Sequence, residues 1–325
     1  CIRDRPFSVE IDAAWDPPTV RVRKLDARVV DNRLSAEIDL RDGFGEGSLA
    51  LTGSSSLSLY ALLGLDLDVP DHPYQATATL VARGQQLEAK DIAVTVGSSD
   101  LRGHVRYTRG VKPVLAVDLQ SDTLYLSHLL PSREEMEQEE AQRRSGGEVM
   151  DEREMFLELS REQRRQRVIP ETELPVDWLN GLDGDLRYRV DDLVLRDDAH
   201  SRMSVHLVLV DGALSTEVFE WDGTYSDGRA ELAIDAGASP PAFQLYINSK
   251  RLPLFWLMAG AQPQEGDRQA RADYRVNLSG AGENLRELAA SLDGVIIFEG
   301  GGRKMDNRGM DLFLGDILGE IVERI

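Results

Sequence analysis

Cysteine, long apolar runs and aromatic residues are all scarce in this sequence. The single cysteine, Cys1, excludes an internal disulfide and any cysteine-based zinc site. No run of about 18 apolar residues occurs, so no segment is composed like a transmembrane helix. Aromatic residues make up only 6% of the chain, which disfavours a sugar-binding cleft built from stacked rings. An ordinary apolar core must therefore stabilise the fold, and 42% hydrophobic residues suffice to form one.

Basic charge is also in short supply. The chain has 37 lysines and arginines against 57 aspartates and glutamates, a formal net charge of -20. Phosphate contacts require clustered basic side chains, so nucleic acid is not an expected partner. The same imbalance disfavours adsorption to an anionic membrane surface through a basic patch. With 325 residues, the length predicts about two domains or one long β-rich domain.

Motifs for catalysis, cofactors and metals are missing. The five histidines form neither an H-x-H nor an H-E-x-x-H pair, and no G-x-S-x-G nucleophile elbow occurs. The acidic residues Asp66, Asp68 and Asp71 lack the spacing of a calcium-binding loop. The glycine-rich stretch 43–47 lacks the dinucleotide-binding spacing and is predicted to be a hairpin loop. We therefore expect no enzymatic activity, no cofactor and no metal; an enzyme acting on glycan is only the third hypothesis.

Period-two alternation of apolar and polar residues is the dominant pattern. Phe7, Val9 and Ile11 alternate with polar residues, and similar runs of about 5 to 9 residues recur along the chain. Turn signals, such as those at 41–43 and 239–241, separate the runs. This pattern predicts a mainly β fold, a meander-like antiparallel sheet with one apolar face.

A short apolar motif, Leu-x-Leu-x-x-Leu-(Leu/Met), recurs along the chain. Its three clear copies span 57–63, 124–130 and 252–258. A serine stands three positions before the first leucine of each copy, at Ser54, Ser121 and Ser249. The spacing predicts a helical turn packed over an end or edge of the sheet, which either only caps the core or serves a ligand. Further helices are predicted at 283–291 and 310–325.

One segment, 132–167, breaks the alternation. It carries 11 acidic and 8 basic residues in 36 positions and is predicted to be a charged helical insertion or mobile loop. A solvated linker without a further role is the alternative. The predicted organisation is an N-terminal β unit over 1–131, the insertion over 132–167 and a C-terminal β unit over 168–325.

A sheet with one apolar face needs something to cover that face. The predicted helices are few and short, so the sheet can pack on a second sheet, oligomerise or curl into a trough for an apolar ligand. In a trough, alternating residues of the later strands would form the lining; otherwise they belong to an ordinary core. The predicted lining is Met203, Val205, Leu207, Leu209, Leu232, Ile234, Phe243, Leu245, Ile247, Val276 and Leu278.

The order of motifs in the second half resembles the AsmA family of bacterial envelope proteins. Residues 169–177, Ile-Pro-Glu-Thr-Glu-Leu-Pro-Val-Asp, are similar to the family's Ile-Pro-x-Thr-x-Leu-Pro-(Leu/Val)-Asp, and Leu182-Asp183-Gly184 then leads into a strand. The run 276–288 resembles the family's closing Leu-x-Leu-x-Gly-x-Gly-x-x-(Leu/Val)-x-x-Leu, with valine in the first position. The resemblance covers about 168–300 and extends to the first 130 residues through the repeat.

This resemblance implies a curved antiparallel sheet forming repeating, taco-like β-grooves, similar to those of bridge-like lipid transfer proteins. It also implies the periplasmic part of a protein attached to the inner membrane, which supports phospholipid transport toward the outer membrane. The implied partners are phospholipid, envelope proteins, and the membrane through an N-terminal anchor that is expected to be missing from this chain. The charged segment 132–167 departs from a minimal unit of the family. The alternative function is a ligand-free β-sandwich that scaffolds other envelope proteins.

Overall fold

The computed structural model describes residues 7–16, 19–62, 69–128, 173–196, 199–253 and 271–300. These residues form 15 β-strands, two α-helices and two 3-10 helices. The strands belong to an open, mixed and mostly antiparallel sheet in which strand order follows chain order. The mainly β fold that the alternation predicts is confirmed.

The chain divides into two compact units, each described by itself. The strands of unit one are β1 (Phe7–Asp16), β2 (Thr19–Val29), β3 (Asn32–Arg41), β4 (Phe44–Gly53), β5 (Tyr74–Arg83), β6 (Gln86–Val96), β7 (Ser99–Thr108), β8 (Val114–Tyr125), β9 (Asp183–Arg196) and β10 (Ala199–Val210). Helix α1 (Ser56–Leu62) comes shortly after β4, and a 3-10 helix (Leu126–His128) directly follows β8.

Unit two continues the strand succession along the chain. Its strands are β11 (Ala213–Gly223), β12 (Asp227–Asp235), β13 (Ala242–Pro253), β14 (Arg271–Ala281) and β15 (Asp293–Gly300). Helix α2 (Leu285–Ser291) lies between β14 and β15, and another 3-10 helix (Asp177–Gly181) precedes β9 in the chain. The Asn284 side chain caps α2 by accepting a hydrogen bond from the Glu287 N–H at 3.0 Å. The helix predicted at 283–291 is therefore present, two residues shorter.

The two units do not follow the boundary predicted at residue 168. Strands β9 and β10 come after that boundary but belong to unit one, because β9 pairs with β8. The β8–β9 pair is parallel, with Val117 opposite Leu186, which corrects the all-antiparallel meander at this place. A parallel pair needs a long connection that returns the chain to the same end, and 126–182 provides it. The predicted insertion, 132–167, falls in this connection and lies outside the described residues.

The connection between β3 and β4 is a two-residue turn. Asp42 and Gly43 both have positive φ, 53° and 78°, as a type I′ hairpin turn requires. Residues 44–47 continue directly as β4, so the prediction of a loop over 43–47 is wrong beyond Gly43. Two further glycines, Gly45 and Gly47, therefore lie inside a strand.

A β-bulge interrupts β6. Its pairing with β7 passes from Ala89 opposite Val105 to Ile92 opposite Gly103, and Asp91 within the bulge has a φ of 49°. Bulges of this kind bend a strand and increase its twist. On the β7 side, a Cβ on Gly103 would lie 2.1 Å from the carbonyl oxygen of Asp118, so only glycine fits there.

The described parts of the repeat are helical in two copies. α1 covers most of the first copy, and the 3-10 helix Leu126–His128 lies within the second. The third copy beyond Pro253 and the helix predicted at 310–325 lie outside the described residues. Ser121 and Ser249 are fully buried, whereas Ser54 is exposed and donates a hydrogen bond to Asp31.

Candidate functional site

The apolar side chains of unit one share one face of its sheet. Because directly paired residues project from the same face, the strand register traces rows across the unit. One row crosses every strand from β1 to β10 and contains only apolar residues and one glycine. In strand order it is Ala13, Val22, Ile38, Gly47, Leu80, Ala89, Val105, Val117, Leu186 and Leu207.

The opposite face of unit one carries charged side chains. Lys24 donates to Glu10 at 2.7 Å, and Arg21 donates to Asp39 at 2.8 Å. These pairs are about half exposed, so each contributes little to stability. These pairs mark the face of unit one that meets water.

The apolar face of unit one is only partly covered. Leu87 is 54% exposed, Tyr107 is 38% exposed and Leu186 is 36% exposed, although all three project from the apolar face. Because a covered face would bury such side chains completely, this one is open to a ligand or partner.

A hollow of about 300 Å³ lies on the apolar face. Small residues from three neighbouring strands form its floor: Gly47 of β4, Ala82 of β5 and Ala89 of β6. Larger apolar side chains surround them, contributed by Ile38, Leu40, Leu80, Leu87, Val105 and Tyr107. The hollow exists because the floor residues have no side chain beyond Cβ, while their neighbours do.

The hollow extends across five strands of a curved sheet. Its lining reaches from Ile38 on β3 to Tyr107 on β7, four strand spacings apart. Neighbouring strands are about 4.8 Å apart, so the strands at its two ends are roughly 19 Å apart along the sheet.

The glycines of β4 are required by the backbone as well as by the hollow. A Cβ on Gly45 would lie 1.8 Å from the carbonyl oxygen of Asp39, and one on Gly47 would lie 2.6 Å from that of Glu37. Real Cβ atoms do not approach so closely, so any other residue would displace the β3–β4 pair. The floor of the hollow is therefore fixed by close strand approach.

Four of the predicted lining residues lie on β10 in unit one. Val205 and Leu207 are half-buried and lie opposite Tyr188 and Leu186 of β9. Met203 is also half-buried, whereas Leu209 is only 5% exposed. All four project from the apolar face, but none lines the hollow, which is formed by β3 to β7.

The other seven predicted lining residues lie in unit two and share one face of its sheet. All seven are half-buried, and the register joins them into rows. The rows are Ile234 with Phe243, Leu232 with Leu245 and Leu278, and Ile247 with Val276. These seven residues therefore share one face, and their role as the lining of a trough stays a prediction.

The face of unit two is covered at one end by α2. Cδ1 of Leu288 lies 2.9 Å from the position that a Cβ on Gly280 would occupy, and Gly280 is paired with Phe243. Close by, the Leu174 N–H donates to the carbonyl oxygen of Glu283 at 3.0 Å. Large side chains and a helix thus fill part of the space that small residues leave open in unit one.

Buried polar groups stand among the apolar side chains of unit one. The hydroxyls of Ser121 and Tyr188 are hydrogen-bonded at 2.9 Å, and Ser121 is only 1% exposed. Burial raises the pKa of Tyr188, and Asp100 raises it further, whereas the bond to Ser121 lowers it. The Tyr74 hydroxyl likewise donates to the Asn32 side chain, and burial raises the pKa of Tyr74. These partnered groups satisfy each other and leave the hollow apolar.

The hollow residues were not among those predicted from the sequence. The prediction selected large apolar residues that alternate along their strands. The hollow instead forms where large side chains are absent. The available signal was the i, i+2 spacing of Gly45 and Gly47, in phase with Leu49 and Leu51 of the same strand. The interpretation of these glycines as part of a hairpin loop hid this signal.

Other site types find no support in the part of the chain that the structure describes. There, no group of three or more His, Cys, Asp or Glu side chains is arranged to hold a metal ion. No helix in those residues combines the length and apolarity needed to cross a membrane. Comparison with known proteins found no matching family model, no matching curated protein and no matching solved structure.

Proposed function

We propose that this chain is the periplasmic part of an AsmA-like protein that binds phospholipid acyl chains on the apolar face of its sheet. In this role it supports phospholipid transport toward the outer membrane and outer-membrane homeostasis. The proposal includes attachment of the full-length protein to the inner membrane and no catalytic activity. The sequence resemblance supports the compartment and the family, and the geometry of unit one supports the ligand class.

The observation that carries the proposal is the partly covered apolar face of unit one with its hollow. The floor of small residues and the larger apolar side chains around it offer hydrocarbon a surface of matching shape. A polar ligand would leave its hydrogen-bonding groups unpaired against this lining. Acyl chains lose nothing by desolvation there, which makes them the occupant that the chemistry favours.

The energetics of such binding suit transport. Each buried CH₂ group contributes roughly 0.8 kcal/mol, so a chain segment of several carbons is held without a specific polar contact. A row of apolar residues runs across all ten strands of unit one, so neighbouring positions along it are chemically similar. A lipid can therefore shift between positions without crossing a polar barrier, while its head group stays in water.

Filling the hollow tests the proposal. Ala89→Leu places a larger side chain on the floor, whereas Ala93→Leu makes the same change on the same strand but on the polar face. Displacing about two CH₂ groups should weaken retention of phospholipid roughly tenfold. The measurement is phospholipid retained by the full chain after incubation with phosphatidylethanolamine–phosphatidylglycerol vesicles, quantified by native mass spectrometry.

The control decides what the result means. Ala93→Leu should retain lipid as the unchanged protein does, and both variants should keep the same circular dichroism spectrum. Equal lipid retention by both variants would remove the hollow from the binding site. An unchanged protein that takes up no phospholipid would instead favour a ligand-free scaffold for envelope proteins, the second candidate, which the exposed edge residues Phe7, Val9 and Ile11 also fit.

A further inference from the structure

Three turns lie side by side at one end of unit one. They connect β3 to β4, β5 to β6 and β7 to β8, and the register of these strands brings them to the same end of the sheet. The Gly84 N–H donates to the carbonyl oxygen of Gly43 at 3.0 Å, and the Arg109 N–H donates to that of Gln85 at 2.8 Å. Backbone hydrogen bonds therefore join each turn to the next. We call residues 41–44, 83–86 and 108–114 the turn rim.

Basic charge is concentrated on the turn rim. The rim contains Arg41, Arg83, Arg109 and Lys112 but only one acidic residue, Asp42, whereas the whole chain has a formal net charge of -20. The three arginines are exposed, and none of them forms an ion pair with a described residue. The overall composition, which disfavours adsorption to an anionic surface, therefore hides a local excess of positive charge.

The opposite end of unit one has the reverse charge. Its β2–β3 turn, at 30–31, contains Asp31, and its β6–β7 turn, at 97–98, is uncharged. Asp71, in the segment before β5, also lies at this end and accepts a hydrogen bond from the Leu57 N–H at 3.2 Å. The strands of unit one thus have a basic end and an acidic end. An anionic partner is attracted to the turn rim and repelled from the other end.

Two exposed apolar side chains lie among the basic residues of the turn rim. Phe44 is 58% exposed, and Val111 in the β7–β8 turn is fully exposed. By register, Phe44 stands between Arg41 on β3 and Arg83 on β5. A Cβ on Gly84 would lie 3.7 Å from Cζ of Phe44, so the ring reaches the β5–β6 turn. Basic residues beside exposed aromatic and aliphatic side chains are the combination that binds at the interface of an anionic bilayer.

The β7–β8 turn is held in place on both sides. Its Arg109 N–H bonds to the β5–β6 turn, as described above. Lys112 forms an ion pair with Asp183 of β9 at 2.6 Å, and the Asp183 N–H donates to the carbonyl oxygen of Pro113 at 2.9 Å. A turn that is already ordered loses little conformational entropy on binding. Val111 and Arg109 are therefore presented together in a fixed arrangement.

The composition of the turn rim favours a lipid surface over other acidic partners. An acidic peptide or a nucleic acid would neutralise the arginines but offers no apolar layer for Val111. An anionic bilayer supplies both, since lipid phosphates lie directly above the boundary of the acyl chains. Arginine suits this boundary, because its guanidinium binds phosphate while its aliphatic stem contacts apolar surface.

We propose that the turn rim docks unit one onto the surface of an anionic phospholipid bilayer. The three arginines bind lipid phosphates, and Phe44 and Val111 insert at the boundary of the acyl chains. At about 0.1 M salt, charges more than about 10 Å away are largely screened, so acidic residues elsewhere do not cancel the attraction. Docking does not require lipid in the hollow, so Ala89→Leu, which fills the hollow, should dock like the unchanged protein.

Vesicle flotation of the full chain at about 0.1 M salt tests the docking. The unchanged protein should bind vesicles of phosphatidylglycerol and phosphatidylcholine but not vesicles of phosphatidylcholine alone. The triple variant Arg41→Gln, Arg83→Gln and Arg109→Gln should bind the anionic vesicles at least tenfold more weakly. Each basic residue near an anionic surface contributes about 1 kcal/mol, which is roughly fivefold in affinity.

A second triple variant controls for net charge. Arg187→Gln, Arg189→Gln and Arg202→Gln remove three exposed arginines from β9 and β10, outside the turn rim. This variant should bind anionic vesicles within about twofold of the unchanged protein. Equal losses in the two triple variants would assign the binding to net charge and overturn the proposal. Failure of the unchanged protein to prefer anionic vesicles would overturn it as well.

A tryptophan on the turn rim measures insertion. Val111→Trp replaces a fully exposed side chain, and Ser98→Trp places the same ring in the exposed β6–β7 turn at the opposite end. On anionic vesicles with brominated acyl chains, Val111→Trp should be quenched more than the unchanged protein, whereas Ser98→Trp should show no added quenching. Binding without added quenching at position 111 would reduce the rim to a charged patch for acidic partners and overturn the docking.

Discussion

Unit one and unit two have the same alternation of apolar and polar residues, but their apolar faces are filled differently. In unit one, the small residues Gly47 and Ala89 stand on either side of Leu80 in one row, Ala82 stands in the next row, and together they leave a hollow. In unit two, Leu232, Leu245 and Leu278 stand side by side, and Leu288 of α2 packs over Gly280. Alternation therefore determines which face is apolar, whereas side-chain size along a row determines whether that face can hold anything.

The largest expected difference between the units concerns two strained glycines. Gly103 on β7 and Gly294 on β15 have φ of 150° and 149°, and a Cβ on either would lie about 2 Å from a carbonyl oxygen. Gly103→Ala should lower the free energy of unfolding by about 3 kcal/mol or more, because β7 is held between two strands. Gly294→Ala should cost about half as much, since β15 pairs only with β14 among the described strands and can shift.

Urea denaturation measures both glycine variants. Gly184→Ala is the control in unit one, because its Cβ would lie 3.5 Å from the nearest atom, an ordinary contact. It should change the unfolding free energy by less than about 1 kcal/mol. A control loss as large as that of Gly103→Ala would mean that backbone strain does not distinguish these positions.

Replacing one alanine by leucine in each unit should give a smaller difference in unfolding free energy between the two units. Ala230 is only 8% exposed and is paired with Ile247, so Ala230→Leu should overpack unit two and cost about 1–3 kcal/mol. Ala89→Leu enters the hollow and should change the unfolding free energy by less than about 1 kcal/mol. Urea denaturation again provides the values, and similar losses in both variants would mean that the hollow has no usable space.

The smallest contrast compares two buried serines from the sequence repeat. Ser121→Ala should cost about 1 kcal/mol because it removes the partner of the Tyr188 hydroxyl. Ser249 is fully buried, and its Oγ has no hydrogen-bond partner among the described residues, so Ser249→Ala should leave stability unchanged or raise it slightly. Thermal unfolding at pH 7 measures both variants. A larger fall in melting temperature for Ser249→Ala than for Ser121→Ala would contradict this reasoning.

The variant Ser121→Ala should also change the pH at which Tyr188 titrates. The folded pKa of Tyr188 is raised mainly by burial, so its contribution to stability is present below about pH 10 and is lost as the pH rises through the folded value. Ser121→Ala removes a bond that lowers this pKa and should raise it further. Ultraviolet absorbance of the phenolate follows the titration, and a lower midpoint in the variant would refute the assigned role of Ser121.

The strand pattern of this protein was accessible from the sequence, because alternation reflects a local steric property of β-strands. Runs such as 203–209 and 243–247 were recognised as strands, and their residues do share faces. The parallel pairing of β8 with β9 was not accessible, because it depends on which end of the sheet the chain returns to. No local pattern around Val117 or Leu186 distinguishes a parallel from an antiparallel neighbour.

The hollow was missed because it depends on residues from five strands, β3 to β7. Gly47, Ala82 and Ala89 are separated by 35 and 7 positions and become neighbours only through register. Sequence patterns identify the face of a strand, whereas sites require the order and register of strands.

The parallel pair β8–β9 also sets the order in which the sheet can form. Strands β1 to β8 are joined by local connections and can pair one after another. One edge of β8 stays unpaired until β9, which follows the long connection 126–182, has joined it. Until then the chain exposes both an unpaired strand edge and an apolar face, a combination that favours aggregation.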